Sequence, residues 1–280
     1  MQNNPVNIQK KFIVGSNEVH KCFDFAEELY SAKATSRKDH GNKGLEVRNK
    51  NDFIADNVRG KIAEFAFKQF LECNFKISFV VDLEIYPGEH NHDEGNDLST
   101  IYINGEERRF DYKTDIKGLP KKGQWLLVES HKFWAQFFVV CRLNDIEDVN
   151  KFEENPFLYK NKEFCVSILG YCNNKRIVDK QEKTPRFKFV QNNRLYSSKV
   201  ITALDNLLQG NQNILKLAQN NFQQNLNLAI KQVKEQDRYI GPLLKSELNY
   251  GYPVKWLRSD WQSFVKILDT KSSAIQAPKI

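Results

Sequence analysis

Apolar residues spaced three and four apart predict two helices near the start of the chain, at about 17–34 and 51–71. The second carries residues such as Ile62 and Phe67 on most of its sides, which is typical of a buried helix. Gly60 lies inside it, although glycine in a helix interior costs roughly 1 kcal/mol relative to alanine. We interpret Gly60 as a place where a neighbouring backbone approaches closely.

Segments of strand length, rich in β-branched and aromatic residues, follow the second helix. They are 75–81, 98–103, 108–114, 125–129 and 137–143. Asn104-Gly105 separates the second segment from the third and is the strongest short signal for a two-residue hairpin. Helices followed by mostly antiparallel strands predict an α+β fold, or an α/β fold with a mixed central sheet flanked by helices.

The pattern changes near residue 150. One more strand is expected at 164–169, then a basic segment, and then a helical region from Lys199 to about Tyr239. A final amphipathic helix is expected at about 254–268. We therefore divide the chain into residues 1–150, with the first helices and the sheet, and residues 151–280, which are mostly helical.

The basic segment accounts for most of the net charge of +7. Between Asn173 and Lys199 lie eight basic residues and two acidic ones. A polyanion-binding face and a solvated loop that is basic by chance explain this charge equally well.

Composition narrows the class of protein. Hydrophobic residues make up 40% of the chain and charged residues 28%, which is ordinary for a globular protein. No apolar run approaches the ~18–20 residues that cross a bilayer, and the N-terminus has no signal-peptide pattern. The five cysteines are scattered and odd in number, which favours reduced thiols over a disulfide framework. These features predict a soluble cytoplasmic protein without a membrane partner.

Candidate chemistry centres on Asp111-Tyr112-Lys113 in the predicted strand 108–114. Strand alternation would place Asp111 and Lys113 on one face. Asp97 begins the preceding strand, and two carboxylates held close together usually bind a cation. Glu64 lies on the apolar second helix, where a buried carboxylate needs a partner.

These residues resemble the PD-(D/E)XK nuclease superfamily, and its type II restriction endonucleases in particular. The resemblance rests on Gly60-Lys61-Ile62-Ala63-Glu64, Gly95-Asn96-Asp97 and Asp111-Tyr112-Lys113, and covers about residues 50–145. Asn96 stands where the motif's name has proline. The resemblance implies Mg²⁺-dependent, site-specific hydrolysis of double-stranded DNA by a homodimer acting on palindromes.

Each candidate then has an implied role. Asp97 and Asp111 would ligate Mg²⁺, a hard cation that prefers carboxylate and water oxygens. Glu64 would ligate a second metal or hold a metal-bound water. Lys113 would orient or deprotonate the attacking water or neutralise developing charge, and Gln124 could help to orient it.

The remaining candidates are basic residues that would contact DNA. Lys117 to Gly123 is interpreted as a phosphate-contacting loop that follows the catalytic strand, and residues 151–280 as a DNA-recognition or dimerisation region. The full set is Arg37, Lys38, Arg48, Lys117, Lys121, Lys122, Lys175, Arg176 and Arg186.

The predicted hairpin presents a geometric difficulty. A strict two-residue turn at Asn104-Gly105 would set Asp97 opposite Tyr112, and directly opposed residues share a face. Asp97 would then point away from Asp111 and Lys113. We therefore predict a three-residue loop or a bulge in this hairpin. A repair or junction nuclease on the same core, and a non-catalytic nucleic-acid-binding module, remain as alternatives.

Overall fold

The computed structural model describes residues 8–32, 49–85, 96–130, 133–178, 184–208, 217–244 and 248–275, and shows a mixed α+β fold. The helices in these ranges are α1 Ser16–Ser31, α2 Lys50–Phe75, α3 Val149–Glu154, α4 Asn174–Ile177, α5 Ser198–Leu207, α6 Gln219–Gln232 and α7 Trp261–Thr270. The strands are β1 Lys11–Val14, β2 Ile77–Phe79, β3 Thr100–Ile103, β4 Glu106–Phe110, β5 Thr114–Pro120, β6 Trp125–Glu129, β7 Phe137–Leu143, β8 Phe164–Asn173, β9 Phe187–Val190, β10 Leu195–Tyr196, β11 Tyr239–Ile240, β12 Leu248–Pro253 and β13 Ser272–Ala274.

A four-stranded mixed sheet, called here the first sheet, has the order β1-β8-β7-β5. Strands β5 and β7 are parallel, while β8 runs antiparallel to both of its neighbours. The apolar run of β7 is buried on both faces, which is expected of a central strand. This sheet supports α2, which packs against all four of its strands.

The hairpin sheet has the order β13-β4-β3-β2 and contains the predicted Asn104-Gly105 turn. Both turn residues have positive φ, as a type I′ turn requires, and Ile103 pairs with Glu106. The predicted bulge or longer loop is therefore wrong, because this turn closes a regular two-residue hairpin.

The strand predicted at 108–114 is also wrong in its extent. Strand β4 ends at Phe110, and β5 begins at Thr114 in a different sheet. Asp111 and Lys113 lie in the connection between the two strands, so strand alternation does not align them. The strands predicted at 125–129 and 137–143 are confirmed with the same bounds.

A second sheet has the order β6-β12-β9. Its central strand, β12, includes Gly251-Tyr252-Pro253, although glycine and proline are depleted in strands. A Cβ on Gly251 would lie 2.5 Å from a ring carbon of Phe189, so an aromatic ring occupies the space above this glycine. Packing across three strands therefore outweighs the low strand propensity of Gly and Pro.

Two hydrophobic cores lie on opposite faces of β7. Val139 and Cys141 belong to the first core, with α1, α2 and the hairpin sheet, while Phe138 and Val140 belong to the second, with α5, α6 and the second sheet. Helix α7 returns to the first core, where the rings of Trp261 and Phe70 are 4.7 Å apart. Strand β8 also contributes to the first core, and β6 contributes to the second. A boundary at residue 150 therefore does not separate the two cores.

Helix α2 and strand β5 approach each other at Gly118 rather than at Gly60. A Cβ added to Gly118 would lie 2.5 Å from the backbone oxygen of Arg59, whereas one added to Gly60 meets no described atom within 4 Å. The interpretation of Gly60 as a close-approach site is therefore wrong, and the glycine that permits the contact is on the strand.

The two glycines predict opposite effects on stability. Gly118→Ala should lower the free energy of unfolding by about 1–3 kcal/mol, because the added carbon must displace helix backbone. Gly60→Ala should raise it by up to about 1 kcal/mol, because alanine is the better helix former. Urea unfolding followed by circular dichroism measures both, and equal midpoints for the two variants would contradict the assignment.

Among the described residues, no helix has the combined length and apolarity needed to cross a membrane. All five cysteines are free, and Cys22, Cys141 and Cys172 are buried.

Candidate functional site

A cleft of about 730 Å³ lies between elements of both cores. Helix α2 and strand β5 contribute one part of its wall, and β6 and β12 contribute another. Seven acidic side chains and three basic ones line it, a formal charge of −4 in a chain whose net charge is +7. We call it the acidic cleft; its charged residues are Asp56, Glu64, Asp82, Glu84, Asp97, Asp115, Glu129, Arg59, Lys61 and Lys117.

Strand β5 supplies the central pair of charges. Asp115 and Lys117 are two residues apart and therefore share a face of the strand, while Ile116 between them is buried in the first core. The Lys117 Nζ lies 2.8 Å from Asp115 Oδ2. Asp115 is only 8% exposed, so this ion pair is held where solvent screens it weakly.

Asp97 is hydrogen-bonded to the start of the same strand. Its backbone N–H donates to the Thr114 carbonyl at 3.0 Å, and its Oδ2 accepts a hydrogen bond from the Ile116 N–H at 2.7 Å. The side chain of Asn96 accepts from the Thr114 N–H at 2.9 Å and donates to the Phe110 carbonyl. These bonds cross between the hairpin sheet and β5, and they place the Asp97 carboxylate beside Asp115.

Glu64 approaches from helix α2. Only 5% of this residue is exposed, and its Oε2 lies 3.0 Å from the Lys61 Nζ one helical turn earlier. A carboxylate buried to this degree needs such a partner. Glu64 and Asp97 both line the cleft, and the Glu64 carboxylate is close enough to raise the pKa of Asp97.

The pKa of Asp97 is raised well above its usual value of 3.8. Removal of its carboxyl group from water is the largest cause, and repulsion from the Glu64 and Asp115 carboxylates adds to it. The hydrogen bond from the Ile116 N–H and the charge of Lys61 act in the opposite direction but do not offset the rise. The charges of Glu64 and Asp115 therefore disfavour ionisation of Asp97 in this part of the cleft.

The lysines of the cleft remain cationic. Burial lowers the pKa of Lys117, but Asp115, Asp97 and Glu129 raise it by more, so the net shift is upward from 10.5. Burial likewise lowers the pKa of Lys61, and Glu64 and Asp97 more than reverse this. Both side chains therefore carry a positive charge at neutral pH.

Asp111 and Lys113 are not part of this group. Asp111 is exposed and pairs with the Arg109 Nε at 3.1 Å, and the Lys113 Nζ lies 5.8 Å from the centre of the Trp134 ring. Neither residue lines the acidic cleft. The structure thus brings Glu64 and Asp97 together with Asp115 and Lys117 instead.

Gln124 lines the cleft, but its side chain has a structural contact. The Gln124 Oε1 accepts a hydrogen bond from the Ser198 N–H at the start of α5. The predicted phosphate-contacting loop at 117–123 is wrong in its first half, since residues 117–120 belong to β5. Beyond the strand, Lys121 is exposed and pairs with Glu147, and Lys122 is exposed.

The predicted DNA-contacting residues outside the cleft differ in exposure. Arg186 is 1% exposed and packs near the Phe222 ring, so this structure leaves almost none of its side chain accessible to DNA. Lys175 is exposed and Arg176 is half-buried on α4. Arg37, Lys38 and Arg48 lie outside the described residues.

Sequence reasoning passed over two kinds of residue in the cleft. Asp115-Ile116-Lys117 repeats the Asp-X-Lys pattern of Asp111-Tyr112-Lys113 four residues further on, so a signal for it was present. Glu129 and Asn249 come from β6 and β12, and nothing in the local sequence indicates that they meet Lys117 in one cleft.

Within the described ranges, no three His, Cys, Asp or Glu side chains are close enough together to form a metal-binding group by themselves. Comparisons of the chain with protein-family models, curated proteins and solved structures found no match.

Proposed function

We propose that this chain is a Mg²⁺-dependent endonuclease that hydrolyses phosphodiester bonds of double-stranded DNA. The observation that carries the proposal is the meeting of Asp97, Asp115 and Lys117 at one end of β5, with Glu64 of α2 beside them. Two acids and a lysine set around a mixed sheet are the arrangement that the resemblance to PD-(D/E)XK nucleases implies, with Asp115 and Lys117 in place of Asp111 and Lys113.

The donor set suits a hard divalent cation. Mg²⁺ in proteins usually binds one or two carboxylates and completes its shell with water and substrate phosphate oxygens. Asp97 and Asp115, which both line the cleft, would be those carboxylates. Burial is the main cause of the raised pKa of Asp97, and a bound cation would offset the repulsion from Glu64 and Asp115 that adds to it. When bound, the ion would supply neutralisation of phosphate charge and acidification of a water molecule.

Lys117 would act as a cation and hydrogen-bond donor. Its raised pKa opposes a role in removing a proton at neutral pH, which would require a lowered one. We therefore assign it the orientation of the attacking water and the stabilisation of negative charge that develops on the phosphate. Glu64, paired with Lys61, would hold a water molecule on the helix side of the cleft.

The charge distribution fits a polyanionic substrate whose binding in the acidic cleft requires cations. A negatively charged cleft repels DNA by itself, whereas exposed Lys175, Lys188 and Lys199 elsewhere on the chain can attract it. Cleavage at specific sites, as by a type II restriction enzyme, and action as a homodimer belong to the proposal through the resemblance.

Digestion of plasmid and λ-type DNA tests this function. We expect cleavage with Mg²⁺ and none with EDTA, and discrete bands if cleavage is site-specific. A smear would point to a repair or degradative role on the same site. Mg²⁺-independent binding without any cleavage over a broad range of conditions would instead favour a non-catalytic binding module and overturn the proposal.

A further inference from the structure

The part of the acidic cleft formed by the second sheet carries an amide beside a carboxylate. Asn249 on β12 pairs directly with Glu129 on β6, and directly opposed residues of antiparallel strands share a face. Both residues line the cleft, and Asn249 is only 4% exposed. Glu129 acts electrostatically on Lys117, so this wall and the Asp115–Lys117 pair belong to the same cleft.

The side-chain nitrogen of Asn249 is buried and has no hydrogen-bond partner among the described residues. Buried polar groups are nearly always hydrogen-bonded, and an exception calls for an explanation such as a functional role. The last torsion of an asparagine side chain is soft, so the amide can turn its N–H groups toward the cleft that the residue lines.

We propose that Asn249 is a substrate-binding residue that donates its side-chain N–H to a non-bridging phosphate oxygen of the DNA strand in the cleft. The inference rests on the proposed nuclease function. An unpaired donor needs an acceptor, and phosphate and sugar oxygens receive half or more of protein–DNA hydrogen bonds, including those from asparagine. A neutral amide can make this contact beside Glu129, whose charge Lys117 offsets.

Two variants of Asn249 test whether binding needs its hydrogen-bond donor or only the shape of its side chain. Asn249→Asp keeps the shape but replaces the donor with a negative charge, and Asn249→Ala removes the amide altogether. Asn225→Asp is the matched control for the change in charge, since Asn225 is half-buried on α6, donates to the Asn221 carbonyl and does not line the cleft. Thermal unfolding of each variant shows whether it is folded.

Binding is measured by fluorescence anisotropy on three labelled duplexes of unrelated sequence, with Ca²⁺ in place of Mg²⁺. We expect Asn249→Ala to weaken binding about tenfold and Asn249→Asp by more, because a hydrogen bond to a charged group is lost. Asn225→Asp should bind like the wild type. The loss should be the same for all three duplexes, since phosphate contacts carry no sequence information.

A duplex with one methylphosphonate linkage gives a second measurement that needs no mutant to fold. When this neutral linkage is moved along the strand, we expect one position at which it weakens binding by the wild type. At that position it should cause no further loss of binding by Asn249→Ala. Wild-type affinity that is indifferent to every position would overturn the phosphate contact.

The remaining outcomes are distinguishable. Wild-type protein that neither binds nor cleaves DNA would overturn the proposed function and this inference together. Normal wild-type cleavage, with both Asn249 variants binding within twofold of the wild type, would overturn the role of Asn249 alone. A loss confined to one duplex sequence would replace the phosphate contact with a base contact.

Discussion

Asp115→Asn and Lys117→Met should each reduce the rate of Mg²⁺-dependent DNA cleavage by roughly 10²–10⁴-fold. Asp115→Asn removes one of the two carboxylates proposed to hold the metal, and Lys117→Met removes the cation proposed to stabilise charge on the phosphate. Both replacements are close in size to the original side chains, so circular dichroism should show little change in fold. Rates are measured under single-turnover conditions on supercoiled plasmid.

The chain provides its own matched control for this experiment. Asp111→Asn and Lys113→Met alter the neighbouring Asp-X-Lys in the same chemical way, but those residues lie outside the acidic cleft. Their cleavage rates should stay within about threefold of the wild type, because neither side chain lines the cleft in which cleavage is proposed to occur. The opposite result, with the 111/113 variants inactive and the 115/117 variants active, would restore the site read from the sequence and refute the one proposed from the structure.

Asp97→Asn should stabilise the metal-free protein while it abolishes cleavage. The folded-state pKa of Asp97 lies above its unfolded value of 3.8, so ionising this group costs folding free energy. The wild type therefore loses stability as pH rises from the unfolded-state pKa to the folded-state pKa, and the loss persists above it. Asparagine carries no charge and can still accept the Ile116 hydrogen bond, so the variant escapes this loss.

Urea unfolding in EDTA tests whether Asp97→Asn raises or lowers the stability of the metal-free protein. The midpoint of Asp97→Asn should exceed that of the wild type at pH 8, and the gap should narrow toward pH 4. Mg²⁺ should reverse the order, because a ligand at a hundredfold excess over its Kd stabilises the folded state by about 2.7 kcal/mol. If Mg²⁺ shifts the urea midpoint of both proteins equally, Asp97 does not hold the ion. If Asp97→Asn is less stable than the wild type in EDTA at pH 8, ionised Asp97 does not destabilise the fold.

Local patterns were enough to predict much of the secondary structure. Helix α2, strands β6 and β7 and the Asn104-Gly105 hairpin follow from hydrophobic periodicity and turn chemistry, which act over a few residues. The types of residue in the site were also predictable, since a carboxylate on an apolar helix and an Asp-X-Lys are unusual enough to notice. Glu64 and Asp97, which both line the acidic cleft, were singled out in this way.

Only the tertiary structure decided which Asp-X-Lys belongs with them. Both pairs read alike in sequence, and the choice depends on where β4 ends and β5 begins, which hydrogen bonds from Asn96 and Asp97 to Thr114 and Ile116 establish. The contribution of Asn249 depends on β12 pairing with β6, a contact between residues more than a hundred positions apart. The sequence by itself therefore determined the local elements and the types of residue in the candidate site. Which carboxylates share a cleft was decided by strand pairing and packing between distant segments, and no local pattern encodes these contacts.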